Sequence, residues 1–207
     1  MISFSNKFIY IHVPKCGGTS VLNKIGYLTT FNKSGWGKQD HSFMSETKTH
    51  LSNQNFEEYY KFSIVRNTWN RLASLWGHNK AGGDYLYNTF CKENEIDTFE
   101  KFIHNLDFIL ESQKDIEEIQ RSVEPLSTWL WVDGENYFDD IFNLTELDKN
   151  WETICEKTGI GKETPLGRDR QRRKSGNYWD WYTGDMKKKV EKLYGEEIEY
   201  FKFRFNE

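Results

Sequence analysis

The sequence predicts an α/β fold, a single domain with a central parallel sheet flanked by helices, and two stretches built the same way lead to it. Lys7 to Ile25, KFIYIHVPKCGGTSVLNKI, sets Phe8, Ile9, Ile11 and Val13 in a β-branched and aromatic run. Pro14 stops that run, and Gly17-Gly18-Thr19-Ser20 leads into Val21, Leu22, Ile25 and Leu28 at helical spacing. Tyr60 to Val65, YKFSIV, is a second apolar run, ended by Arg66-Asn67 and followed by Trp69, Leu72, Ala73 and Trp76 at i, i+3, i+4 and i+7. Strand, turn and helix thus occur twice. With a crossover between them the strands run parallel, and their carboxyl ends share the edge where open α/β sheets bind ligands.

Length and composition set the bounds. A chain of 207 residues and 24.7 kDa is enough for one well-buried domain spanning residues 1–207 and short for two. The net charge of −4 argues against a nucleic-acid binder, so anion binding has to come from local clusters. Eight Trp within 16% aromatic content read first as core. Cys16, Cys91 and Cys155 are odd in number and lack C-x-x-C or zinc-finger spacing. Neither a disulfide framework nor a structural zinc is expected, and a reducing compartment is. No run approaches about 18 apolar residues, and no charged-then-apolar leader opens the chain; the expectation is a cytoplasmic protein without a membrane segment.

At the first strand-to-helix turn, free N–H groups and the positive end of a helix converge while two glycines admit close approach to the backbone. Lys15 adds a full charge, Thr19 and Ser20 add hydroxyls, and Cys16 reads as a small loop residue. A phosphate-type anion is the expected ligand. The lysine precedes the glycines, so the G-x-x-x-x-G-K order of a nucleotide triphosphatase loop is not met. The order P-K-C-G-G-T-S instead resembles the 5′-phosphosulfate loop of sulfotransferases that use 3′-phosphoadenosine-5′-phosphosulfate (PAPS), in particular the carbohydrate, family 2-like branch. The resemblance implies a P-loop-like, nucleotide-kinase-like sulfotransferase fold with Lys15, Cys16, Gly17, Gly18, Thr19 and Ser20 around the cofactor.

Thr29 to Asn55 is polar, a long connection containing Asp40-His41-Ser42 and a short helix near Ser52 to Tyr59. After the second strand, Arg66, Asn67, Arg71 and Ser74 are expected at the sheet edge. FSIVRNTWNRLASLW is similar to the 3′-phosphate motif of the same family, an apolar strand followed by V-R-N-P, an aromatic, an acid and R-L-V-S. Here Thr68 replaces the proline and Asn70 the acid. By the resemblance, Arg66 and Ser74 bind the 3′-phosphate, as suits a guanidinium fork with a hydroxyl further along the helix. The alternative is that Arg66 and Arg71 pair with acidic groups.

Gly82-Gly83 breaks the second helix, and Asp97 to Leu110 reads as a packing helix. Ile116, Ile119 and Val123 share one face of a charged segment before Pro125, and Thr128 to Trp131 enters the core. Tyr137 to Leu144 reads as a third strand, followed by a helix with Asp148 as N-cap and Gly159 as stop. From Trp131 to Ile160 the stretch is again similar to the family's pattern of D-G, aromatic strand, E-x-L, D-W and G-I. Arg168, Arg170, Arg172, Arg173 and Lys174 form a basic stretch that reads either as a solvated loop or as a contact for cofactor or acceptor. In the family a loop ending in Asn-x-Ser covers the cofactor here; Ser175 matches the serine and Arg173 stands at the asparagine position. Asp185 to Tyr200 is a helix, with Phe201, Phe203 and Phe205 alternating after it in a short strand or extended tail.

The resemblance implies sulfuryl transfer from PAPS to a hydroxyl acceptor, a saccharide or related small metabolite, with Lys15 following charge on the bridging oxygen and no metal. His41 is the candidate base, matching the histidine of the uronyl 2-O type; its ordinary pKa near 6.5 suits proton abstraction near neutrality. Glu46 is the reserve. His12, inside the first strand, reads as packing. A non-catalytic nucleotide- or sulfated-ligand-binding module and a P-loop kinase are the other readings.

Overall fold

The computed structural model describes residues 1–25, 41–80, 90–111, 122–160, 166 and 177–207, with residues 79 and 80 as backbone alone. Arg173, Ser175 and the rest of the Arg168 to Lys174 stretch lie outside the described residues. So do Leu28, Asp40, Gly82-Gly83, Ile116 and Ile119. The chain forms two compact units, Met1–Arg66 with Leu126–Gln171 and Asn67–Pro125 with Arg172–Glu207.

The first unit holds a four-stranded sheet in the order β1-β2-β3-β6, formed by Ile2–Ser3 (β1), Phe8–Ile11 (β2), Tyr60–Val65 (β3) and Asp140–Asn143 (β6). β2, β3 and β6 are mutually parallel, in the register Tyr10↔Phe62 and Phe62↔Asp140. The α/β class and the parallel core are therefore as the sequence predicts. β2 is buried along its whole length, as expected of an inner parallel strand with both faces covered. The edge strand β1 was not foreseen; it runs antiparallel, Ile2 opposite Ile9, which makes the sheet mixed. At two residues it is too short to show a periodicity.

Two polar residues within β3 are satisfied in place. Ser63 Oγ donates to Ile11 O at 2.8 Å, and Lys61 Nζ donates to Tyr59 O at 2.6 Å and Glu57 O at 3.3 Å. Those two carbonyls sit at the end of the helix Asn53–Glu58, where a cation is favoured. Ser52 caps the start of that helix by accepting from Asn55 N–H at 3.2 Å.

Trp131–Val132 and Glu135–Asn136 form a small antiparallel hairpin (β4, β5) not anticipated from the sequence. Its turn residues, Asp133 (φ +53°) and Gly134 (φ +82°), have the left-handed conformations of a two-residue hairpin turn, and Asp-Gly is the signal for one. The third long strand is shorter than Tyr137 to Leu144. The helix after it, Leu147–Thr158, starts one residue before Asp148, with Glu146 at the cap, so Asp148 serves in the first turn instead. Gly159 ends it at φ +75°, as its position predicts. This helix packs on β3 and β6.

The second unit is helical. Thr68–Lys80 packs with Gly184–Tyr200 and with the turn Tyr178–Trp181, and Trp76 stacks on Phe102 at 5.4 Å between centroids. The predicted helix over 97–110 is two, Phe99–His104 and Leu106–Glu111, because Asn105 leaves helical geometry at φ −98°, ψ 13°. After Tyr200 the chain turns, and no strand forms over 201–207.

Candidate functional site

The first strand-to-helix turn is shaped by Lys15, Gly17 and Gly18. β2 ends at Ile11, Pro14 to Gly17 turn, and the helix Gly18–Ile25 (α1) begins, burying Val21, Leu22 and Ile25. Lys15 takes φ +66° and Gly17 φ +81°. Only glycine suits the second: besides its φ, a Cβ there would lie 2.4 Å from Leu144 Cδ1. Gly18 is required for a different reason, since a Cβ would fall 1.8 Å from His12 Nε2. The turn is closed by Cys16 N–H to Val13 O at 3.3 Å and Ser20 N–H to Gly17 O at 3.2 Å. Cys16 is buried, while Lys15, Gly17, Thr19 and Ser20 are half-buried. The start of α1 carries no acidic residue in its first turn, which leaves its positive end uncompensated from within.

Arg66, directly after β3, reaches this turn. Its Nη1 donates to the Lys15 carbonyl at 3.0 Å. The neighbouring strand ends the same way: Val65 pairs with Asn143, and Leu144 follows at the start of the turn Leu144–Glu146. The carboxyl ends of three parallel strands thus supply His12, Arg66 and Leu144 around one loop. Leu144 was missed from the sequence, because its contact with Gly17 is purely tertiary.

His12, expected to pack inside the strand, stands one residue past β2, 3% exposed, against Gly18. Burial, and then the nearby His41, N-terminal ammonium and Lys15, hold its pKa well below the usual histidine value. It is therefore a neutral imidazole at neutral pH. Its buried Nδ1 has no hydrogen-bond partner among the described residues.

His41 lies beside it, with ring centroids 4.2 Å apart, and its Nδ1 is 2.9 Å from the His12 carbonyl. A carbonyl oxygen only accepts, so Nδ1 carries the hydrogen and Nε2 becomes the basic nitrogen of the neutral ring. Trp129 sits edge-on to His41 at 6.3 Å and packs against Phe43 at 4.6 Å, which fixes the chain on either side of Ser42. Glu46, the reserve base, is committed elsewhere: its Oε2 accepts the Phe43 N–H at 2.9 Å and caps the helix Met44–Thr49. His50 and His104 are exposed, and His78 is half-buried near the end of its helix.

The structure brings Lys15, Cys16, Gly17, Gly18, Thr19, Ser20, Arg66 and His41 into the first unit. Ser74 is a half-buried residue of the helix Thr68–Lys80, in the second. Arg71, expected beside Arg66 at the sheet edge, is instead fully buried in that second unit. It donates to Ser122 O at 3.3 Å and Glu124 O at 2.9 Å and faces Glu197 Oε1 at 3.9 Å. For Arg71 the acidic-pairing alternative is the correct one. Asn67 is likewise structural: its backbone carbonyl accepts from Arg71 N–H, and its Nδ2 donates to Arg204 O at 2.7 Å.

Lysine, guanidinium, hydroxyls and a helix start are a donor set for phosphate or sulfate oxygens. Among the described residues there is no group of three or more His, Cys, Asp or Glu placed to hold a metal ion, and no helix is long and apolar enough to cross a membrane. Compared with known proteins, residues 1–204 match the model described as the sulfotransferase family. No curated protein and no solved structure matches the chain.

Proposed function

The chain belongs to the sulfotransferase family, and from that premise we propose that it moves the sulfuryl group of PAPS to a hydroxyl of a saccharide or related small metabolite. The observation that supports this reading most is the bond from Arg66 Nη1 to the Lys15 carbonyl, because it joins the two motifs assigned to the two phosphorylated ends of one nucleotide. When bound, the nucleotide supplies the sulfuryl group and a phosphate leaving group. The residues around it have separable tasks.

Lys15 places an ammonium where negative charge builds on the bridging oxygen, and the opening amides of α1 with the Thr19 and Ser20 hydroxyls hold the remaining oxygens. Arg66 takes the 3′-phosphate, with Ser74 carried over from the resemblance alone. His41 receives the acceptor's proton at Nε2 while its Nδ1–H stays on the His12 carbonyl, so the imidazolium that forms keeps one donor satisfied. No metal enters the scheme. That residues 1–207 act as one catalytic domain belongs to the same proposal, as does a cytoplasmic setting.

Transfer of radiolabelled sulfate from PAPS to a panel of saccharide and small-metabolite hydroxyls tests the reading. The unaltered protein should label at least one acceptor, and Lys15→Ala should lose transfer by about 100-fold or more while keeping its circular dichroism spectrum. Nucleotide binding without transfer to any acceptor would favour the binding-module reading instead.

A further inference from the structure

Arg66 is assigned above to a 3′-phosphate, yet one of its donors is turned toward the other loop. The carbonyl it holds, at 3.0 Å, belongs to Lys15, a non-glycine residue at φ +66°. L-residues disfavour that conformation, so something has to maintain it. The peptide plane after Lys15 is tied on both sides: the Cys16 N–H bonds back to Val13 O at 3.3 Å, and the Lys15 oxygen is taken by the guanidinium. Downstream of that plane come Gly17, Gly18 and the amides that open α1. Rotating it would carry the lysine side chain and those amides away from their common target.

The geometry points to Arg66 as the positioning residue of the 5′ loop as well as a phosphate ligand, so that a single guanidinium couples recognition at the two ends of the nucleotide. A planar fork with five N–H donors can hold a carbonyl and a phosphate together. The inference rests on the nucleotide reading above but makes a demand of its own. Removing Arg66 must weaken a nucleotide that has no 3′-phosphate for it to touch.

The test is titration calorimetry or NMR titration with two probes, adenosine 3′,5′-bisphosphate and adenosine 5′-phosphate, against the full chain and Arg66→Ala. The expected result is a loss of about tenfold for adenosine 5′-phosphate, the size of one charge-assisted hydrogen bond, and a larger loss for the bisphosphate. Unchanged affinity for adenosine 5′-phosphate beside a weakened bisphosphate overturns the coupling and leaves the nucleotide reading standing. Absence of binding of either probe to the unaltered protein removes both. Should Arg66→Ala fail to fold, Arg66→Lys serves the same comparison: weakening of both probes supports the coupling, and weakening of the bisphosphate alone overturns it.

Discussion

Arg66 and Arg71 stand on either side of one strand-to-helix junction and meet opposite treatment. Arg66 is half-buried at the end of β3 and spends a donor on a loop carbonyl in an unfavourable backbone conformation. Arg71 is fully buried on the helix that follows, among the Ser122 and Glu124 carbonyls and the carboxylate of Glu197, itself 1% exposed. Thr68 Oγ1 donates to the same carboxylate, and Tyr194 Oη donates to Val123 O at 2.7 Å, so the second unit closes a buried polar network around its arginine. The first unit keeps Lys15 and Arg66 at the carboxyl ends of its strands, beside a helix start with no acid in its first turn. Charge serves the fold around Arg71, and around Lys15 and Arg66 it is proposed to serve a ligand. Substitutions should therefore separate stability from binding according to which region they touch.

The largest stability effect belongs to the second unit. Glu197→Ala leaves Arg71 buried without its carboxylate and should cost about 3–5 kcal/mol in urea unfolding. The double variant Arg71→Met, Glu197→Leu should recover most of that loss; if it does not, the comparison between the two arginines fails. Next comes Gly18→Ala, whose methyl would meet the His12 ring. A cost of about 1–3 kcal/mol is expected, together with weaker nucleotide binding, and His12→Ala in the same chain should restore part of the stability. Additive losses would show that the imidazole is not what excludes a side chain at Gly18.

A smaller effect follows from pH. The unfolded chain protonates His12 near the ordinary histidine value of 6.5, and the folded chain resists doing so until well below it. Below about pH 6.5 the unfolded state binds more protons, so this residue makes stability fall as the medium is acidified and has no such effect above that pH. His12→Gln should flatten thermal-melt midpoints across that window; an unchanged acid slope would contradict the buried neutral imidazole. The smallest shift is expected for Lys15→Gly. Glycine accepts φ +66° readily, so stability should hold or rise by up to about 1 kcal/mol while sulfate transfer is lost. A clear loss of stability would mean that the lysine side chain supports the fold.

Much of the first unit was legible in the sequence. Apolar runs and period-3.6 patterns flanking Pro14, Gly17-Gly18 and Arg66 placed both strand-to-helix turns, and Ser52 and Gly159 marked helix ends by residue type. What escaped has a physical reason. β1 is too short to show alternation, whereas the Asp133-Gly134 turn carries a local hairpin signal. Nothing in sequence order links His12 to Gly18 and His41, or Leu144 to Gly17, since these contacts arise only when three strand ends converge. Arg71 is expected beside Arg66 at the sheet edge because both follow the same strand; its burial among the Ser122 and Glu124 carbonyls and Glu197 emerges only in the fold. At the candidate site, the turn from Pro14 to Gly17 and the place of Arg66 after β3 were readable in the sequence, whereas the tautomer of His41 required the carbonyl that it faces.

Calorimetry of adenosine 3′,5′-bisphosphate against the folded chain and against Lys15→Ala tests the central claim most directly. The account predicts saturable binding at one site per chain that is strongly weakened in the variant. A well-folded chain that gives no heat of binding, or a variant that binds as tightly as the unaltered protein, would contradict it.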